Sequence, residues 1–311
     1  MKKRDFLRLS DLSLPEARRV LDLAAVLKSE PKGSRTTALA GRAIAVVMEK
    51  PSTRTRVSFE VGTAHLGAHP VVLTTAGSQL ARGEPVKDTA RVLSGYCDMI
   101  VYRTFGEENL REMAEYASVP VLNALSDEGH PVQVLCDVFT IEEALGRPIQ
   151  GLRVAWVGDG SSNMARSFIE AARIFGFHLA LAAPADYLPP ESESRPAVES
   201  GALSIHARPE DAVAGSIAVN TDVWTSMGQE AEQKRRLAAF QGWTLSEAHF
   251  TAAAEGAIVL HCLPAHRGEE ITEELLEGPR SRVWVQAENR LHVQKALMLF
   301  LMGAAPAPLV V

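Results

Sequence analysis

Residues 43–56 read Ala43-Ile44-Ala45-Val46-Val47-Met48-Glu49-Lys50-Pro51-Ser52-Thr53-Arg54-Thr55-Arg56. Six apolar residues without polar alternation, Ala43 to Met48, read as a strand buried on both faces. Pro51 ends the run. Ser52 is a suitable N-cap for the helical pattern that continues through Val57, Phe59 and Val61 to Leu66. A buried strand, a polar loop and a helix make the opening of a βαβ unit, and so of a parallel sheet. The helix carries cations in its first turn, where each opposes the helix dipole by a few tenths to about 1 kcal/mol. A phosphate would reverse that sign. The free first-turn N–H groups, the hydroxyls of Ser52, Thr53 and Thr55, and a guanidinium fork all suit an oxygen-rich anion. The simpler arrangement has Ser52 as cap and Arg56 paired with Glu60 at i, i+4. Two arginines and three hydroxyls within five residues favour the anion.

The strand–helix alternation continues along the chain. Strands are expected at Pro70–Thr74, Met99–Arg103 and Val119–Leu122, with helices at Leu14–Lys28, Thr53–Leu66, Lys87–Gly95 and Glu107–Tyr116. A second series has strands at Arg153–Val157, His178–Ala182, Ala202–His206, Ser216–Asn220, Ala257–His261 and Arg282–Val285. Its helices are expected at Asn163–Phe175, Pro209–Ala214, Gln229–Phe240 and Glu288–Leu301, and a helical pattern at Pro131–Leu145 bridges the two series. The proline-rich stretch Pro184–Pro196 reads as a surface loop. The expected fold class is α/β, with two doubly wound parallel-sheet domains and the active site in the cleft between them. Ligands of such sheets sit beyond the carboxyl ends of the strands.

At 311 residues the chain is long enough for two domains at roughly 150 residues each. Its 46% hydrophobic and 23% charged content is that of an ordinary globular protein and argues against disorder or a fibrous fold. The net charge of −6 gives no overall field for nucleic acid. Cys97, Cys136 and Cys262 form no metal-ligand or disulfide spacing, which points to a reducing compartment, the cytoplasm. No export signal is expected, because Asp5, Arg8 and Asp11 interrupt the stretch after the basic start. The run Ala296–Val311 falls short of the ~20 residues that span a bilayer and contains Gly303, Pro306 and Pro308, so no membrane association is expected.

The segment Ser52-Thr53-Arg54-Thr55-Arg56 resembles a signature of the aspartate/ornithine carbamoyltransferase family. The resemblance recurs in order through Ser78-Gln79-Leu80-Ala81-Arg82-Gly83-Glu84, Tyr102-Arg103-Thr104, His130-Pro131-Val132-Gln133, Asp222-Val223-Trp224-Thr225-Ser226-Met227-Gly228, His261-Cys262-Leu263-Pro264 and Glu288-Asn289-Arg290. It implies a first domain, residues 1–136 plus 287–311, that binds carbamoyl phosphate through Ser52, Thr53, Arg54, Thr55, Gln79, Arg103, His130, Gln133, Cys262, Leu263 and Arg290. It implies a second domain, residues 137–286, that binds ornithine through Asn163, Asp222, Ser226 and Met227. Arg103, His130, Asp222 and Cys262 would be the catalytic residues. Arg103 at a strand end and His130 at a helix start would hold the carbonyl and phosphoryl oxygens, and Arg290 would open the last helix. A donor aimed at that carbonyl would stabilise the oxyanion of a tetrahedral intermediate.

The implied reaction transfers the carbamoyl group of carbamoyl phosphate to the δ-amine of L-ornithine, giving L-citrulline and phosphate within arginine metabolism. No metal and no cofactor is expected. As in the family, Gln79 would reach a neighbouring subunit's site, so the expected assembly is a homotrimer or a multiple of trimers. Putrescine, an N-acylated ornithine or aspartate stand as alternative acceptors. The stretch Gly158–Ser167 is one residue longer than the family's motif, with Ser162 in place of an Asn and Arg166 in place of a smaller residue. Gly158-x-Gly160 after a strand also suggests a dinucleotide-binding turn, although the third glycine of that fingerprint is lacking.

Overall fold

The structure, a computed structural model, describes residues 3–74, 79, 82–225, 232–304 and 309–310. Along the chain its elements are α1 (Leu14–Ser29), β1 (Arg35–Thr36), β2 (Ala43–Met48), α2 (Thr53–His65), β3 (His69–Thr74), α3 (Val86–Tyr96), β4 (Met99–Arg103), α4 (Glu107–Tyr116), β5 (Val121–Leu125) and α5 (Pro131–Leu145). They continue with β6 (Arg153–Val157), α6 (Asn163–Phe175), β7 (His178–Ala182), α7 (Glu191–Glu199), β8 (Leu203–His206), α8 (Pro209–Val213), β9 (Ala218–Thr221), α9 (Gln233–Ala239), β10 (Ile258–His261), α10 (Glu273–Glu277), α11 (Val283–Leu301) and β11 (Leu309–Val310). The chain forms two compact units, Met1–Leu135 with Glu288–Val311, and Cys136–Ala287.

In the first unit, four parallel strands lie in the order β3-β2-β4-β5. Strands β4 and β5 are buried throughout, and β2 at all but its first residue, because helices cover both faces of the sheet. Ala45, Val47, Ile100, Tyr102 and Val121 pack with Ala90 and Leu93 of α3 and Leu110 and Met113 of α4. Helices α2 and α11 meet at Gly62, where a Cβ would touch Leu291, Lys295 and Met298 at 3.4 Å.

The second unit has five parallel strands in the order β10-β9-β6-β7-β8. Ala155, Val157, Ala180, Ala182, Val219 and Val259 share one buried cluster with Ala212 and Val213 of α8. Trp156, which alternates away from Ala155 and Val157, lies 5.7 Å from Phe168 of α6. Both sheets are doubly wound and parallel.

Four local expectations are corrected. Pro184–Pro196 is not a loop throughout: Ala185–Tyr187 is a 3-10 turn and α7 begins at Glu191 with Pro196 inside it. Tertiary anchors hold that helix, since Ser194 and Ala197 are buried and Arg166 of α6 grips both carboxylate oxygens of Glu193. Arg282–Val285 is not a strand. Val259 exchanges backbone bonds with Arg280 and Arg282, and Gln286 N–H then bonds the Arg282 carbonyl, which opens α11. Arg290 therefore lies well inside the last helix, not at its start. The strand expected at Val119–Leu122 is shifted to Val121–Leu125, because Pro120 precedes the ladder and supplies only its carbonyl, to Ile100. Among the described residues, no helix is long and apolar enough to cross a membrane.

Candidate active site

In the first unit, strand order reverses between β2 and β4, so the sheet opens a crevice beyond Met48 and Arg103, which are register partners. The β4–β5 register shifts between Tyr102 and Arg103, at the mouth of that crevice. Arg103 Nε donates to the Lys50 carbonyl at 3.0 Å, which fixes the loop after β2 against the end of β4. Lys50 Nζ is 3.1 Å from Asp127 and lies over the Phe105 ring. Ser52 caps α2, its hydroxyl accepting from Thr55 N–H at 3.3 Å. Thr53 is exposed and Arg54 half-buried, with the Arg54 Nε buried and lacking a hydrogen-bond partner among the described residues. His130 stands just before α5, its carbonyl accepting from the N–H groups of Gln133 and Val134.

Arg290 closes this constellation. Its guanidinium donates to Gln133 Oε1 at 3.0 Å and to Thr55 Oγ1 at 2.9 Å, joining the starts of α2 and α5 to α11. Lys50, Arg103 and Arg290 are each no more than 5% exposed. Burial, followed by the positive charges of Arg290, Arg103 and Lys50, holds the His130 imidazole well below its ordinary pKa. His130 is therefore neutral at pH 7. Buried cations gathered at a strand end and two helix starts suit an anion. A dianion here would meet two helix N-termini, hydroxyls and guanidinium forks together.

The second unit reverses strand order between β6 and β9, and the loops after Val157 and Thr221 flank that point. Gly158 has φ +139°, and a Cβ on it would lie 3.6 Å from Thr221 Oγ1. Asp222 follows β9 and takes Val223 N–H on Oδ1 at 2.8 Å. Burial pushes the Asp222 carboxyl above its ordinary pKa, while the Cys262 thiol and Val223 N–H, both hydrogen-bonded to it, act against the shift. Cys262 is half-buried, and Leu263 after it has a left-handed φ of +61°. Asn163 is the first residue of α6, directly after its cap Ser162, whose hydroxyl accepts from Ala165 N–H. Gly160 is explained by close packing: a Cβ there would lie 2.8 Å from the Tyr187 carbonyl, a contact that needs no dinucleotide.

The structure thus brings Ser52, Thr55, Arg103, His130, Gln133 and Arg290 into one constellation in the first unit, with Thr53 and Arg54 in the same first turn of α2. Asp222 and Cys262 are joined in the second unit, and Asn163 stands at the start of α6. Gln79 is exposed, its carbonyl accepting from Arg82 and Glu84 N–H. Ser226 and Met227 lie outside the described residues. Sequence reasoning passed over Lys50, although a cation two residues after a buried strand was a signal comparable to that of Arg103. It also missed Arg236, whose 2.6 Å ion pair with Asp159 is buried beside the Trp224 carbonyl, to which Arg236 also donates. No local pattern links those residues.

Comparison with known proteins supplies an independent view. The carbamoyl-P binding domain of the aspartate/ornithine carbamoyltransferase family matches residues 4–143, and that family's Asp/Orn binding domain matches residues 150–301. A protein of Sorangium cellulosum named ornithine carbamoyltransferase is 65% identical over 308 residues, covering 97% of this chain and 99% of its own. The structure of ornithine carbamoyltransferase from Pyrococcus furiosus is similar at TM-score 0.90 and 42% identity, covering 97% of each chain. An anabolic ornithine carbamoyltransferase from Campylobacter jejuni is similar at TM-score 0.88 and 40% identity, covering 96% of this chain and 98% of its own.

Proposed function

The chain belongs to the aspartate/ornithine carbamoyltransferase family, and from that premise we propose that it transfers the carbamoyl group of carbamoyl phosphate to the δ-amine of L-ornithine, giving L-citrulline and phosphate. The observation that carries this reading is the neutral, buried His130 among Lys50, Arg103 and Arg290, at the end of a sheet whose next helix begins Thr53-Arg54-Thr55. The phosphate oxygens take the α2 first turn, with Ser52, Thr53, Arg54 and Thr55. Arg103, His130 and Arg290 surround the carbonyl oxygen, with Gln133 holding Arg290 in place. Cys262 and Leu263 complete the carbamoyl phosphate contacts.

Attack by the neutral δ-amine forms the C–N bond and pushes the carbonyl electrons onto oxygen. That oxyanion meets donors already in position. Collapse breaks the C–O bond to phosphate, and the proton lost by the amine nitrogen passes to the departing phosphate, which leaves as the monohydrogen dianion. The positive cluster then stabilises the departing phosphate. Asp222, paired to the Cys262 thiol, is suited to hold ornithine's amino-acid end, with Asn163 toward its carboxylate and Ser226 and Met227 completing the acceptor site. The residues themselves supply the charge stabilisation, so the reaction as proposed uses no metal or organic cofactor.

The first unit is then the carbamoyl phosphate domain and the second the ornithine domain. We further propose a cytoplasmic enzyme of arginine biosynthesis, in line with similarity to the anabolic Campylobacter protein. Its assembly is a homotrimer in which Gln79 serves a neighbouring site. Val57 on α2 and Val92 and Tyr96 on α3 are exposed apolar side chains of the first unit, which suits a covered interface. Assay of carbamoyl phosphate with ornithine, putrescine, N-acetylornithine and aspartate in turn tests the acceptor. Citrulline formation is expected, and turnover of another acceptor without ornithine would overturn the assignment.

A further inference from the structure

The loop after Cys262 carries a group of side chains that the transfer reaction does not use. His266, Glu269 and Glu270 each offer one ligand atom, and these atoms all lie within 4.8 Å of one another. Glu270 is fully buried, whereas His266 is exposed and Glu269 half-buried, so the group opens outward on one side. One oxygen of Glu270 is satisfied twice, by His261 Nε2 at 3.0 Å and by His266 N–H at 2.6 Å. Its other oxygen is buried and has no hydrogen-bond partner among the described residues.

His261 Nδ1 is occupied by Leu263 N–H at 2.9 Å, and its Nε2 faces Glu270. The cation nearest in sequence is also engaged elsewhere, because Arg267 pairs with Glu273 and Glu277. A buried carboxylate oxygen without a partner is costly unless a cation meets it. His266 Nδ1 and Glu269 Oε2, 3.4 Å apart, stand where such a cation would find its remaining ligands.

We propose that His266, Glu269 and Glu270 form a binding site for one divalent transition-metal ion of the Zn²⁺ or Co²⁺ class. One imidazole nitrogen and two carboxylates, with water in the fourth position, suit a borderline cation. The imidazole disfavours Mg²⁺ and Ca²⁺, which prefer all-oxygen sites. Through Glu270 the ion fixes the carboxylate that orients His261, and His261 in turn holds the backbone N–H of Leu263. The site is separate from the Asp222–His261–Cys262 group, whose ligand atoms also lie within 4.8 Å of one another and which belongs to the acceptor end of the proposed reaction.

The test is calorimetric titration of the chelator-treated full-length protein with Zn²⁺, paralleled by Co²⁺ absorption spectra. The panel is the natural protein and its His266→Ala, Glu269→Gln and Cys262→Ser variants. The proposal expects an ion that survives Cys262→Ser, gives a Co²⁺ spectrum without a thiolate band in that variant, raises Tm, and weakens by roughly tenfold or more in both His266→Ala and Glu269→Gln. Absence of binding would overturn it. So would binding lost in Cys262→Ser and kept in the other two, which assigns the ion to the thiol group. Loss in His266→Ala alone, with Glu269→Gln unaffected, would reduce the site to a lone surface histidine and equally overturn it.

Discussion

Replacing Arg290 by Met removes a charge while keeping an unbranched apolar stem in the helix, and the structure sets opposing consequences for stability and catalysis. Thr55 Oγ1 and Gln133 Oε1 each lose a donor, a cost of about 1–3 kcal/mol apiece when nothing replaces it. Against that, one of the like charges around His130 disappears. The two effects oppose, so Tm should move by only a few degrees. Catalysis has no such compensation: losing a preorganised donor to the oxyanion and phosphate costs about 3–4 kcal/mol, or 10²–10³ in kcat/KM for carbamoyl phosphate. His130 reports the same change independently. In the natural protein it stays neutral when folded but takes a proton below pH ~6.5 when unfolded. The unfolded state then binds more protons, so stability falls as pH drops below that value, until the depressed folded pKa is reached. In Arg290→Met the largest cause after burial is removed, so the His130 pKa rises toward its ordinary value and the acid loss becomes shallower. Steady-state kinetics, imidazole NMR and Tm against pH read the three effects. An Arg290→Met enzyme with unchanged kcat/KM and an unmoved His130 titration would refute the electrostatic account of this site.

The buried Asp159–Arg236 pair gives a second test. Removing one partner of such a pair costs about 3–5 kcal/mol, but Asp159 also accepts from Ser161 N–H and Oγ. Arg236→Met should therefore sit at the low end of that range, and Asp159→Asn with Arg236→Met should destabilise by clearly less than the sum of the singles; additive losses in thermal unfolding would count against coupling. The shared-site trimer predicts that refolding a 1:1 mixture of inactive Arg54→Ala and Gln79→Ala chains restores about a quarter of the natural activity. That value follows because about three-quarters of random trimers are mixed and each mixed trimer has one intact site among its three. A mixture as inactive as its components would place Gln79 in its own subunit's site or in none.

Much of the fold was legible because doubly wound sheets write themselves as uninterrupted apolar runs. Ala43–Met48, Met99–Arg103, Arg153–Val157 and His178–Ala182 are strands with the bounds that the apolar pattern suggests. The pattern failed where length or proline carried too much weight. Arg282–Val285 is a four-residue run that fits a strand or a buried helical turn equally well, and only the pairing of Val259 with Arg280 and Arg282 decides between them. Pro196 looked disruptive, yet the Arg166–Glu193 fork shows why α7 tolerates it. That fork also explains the arginine that set the Gly158–Ser167 stretch apart: its guanidinium grips a neighbouring helix of the same unit.

The candidate site divides along the same line between local and non-local information. The N-cap at Ser52 and the helix start at His130 are local features, and the sequence marks both. What makes them a candidate anion site is charge accumulated from distant segments, since Lys50, Arg103 and Arg290 come from a loop, a strand end and the interior of the last helix. No window of sequence contains that sum. The net charge of −6 even carries the opposite sign, because it averages over a surface that the buried cluster never meets. Burial turns a few guanidinium groups into a strong local potential, and the neutral state of His130 is its internal gauge. An anion placed among those cations would shift that gauge back: bound phosphate must raise the His130 pKa, and an imidazole titration indifferent to phosphate would separate the cluster from the site it is proposed to form.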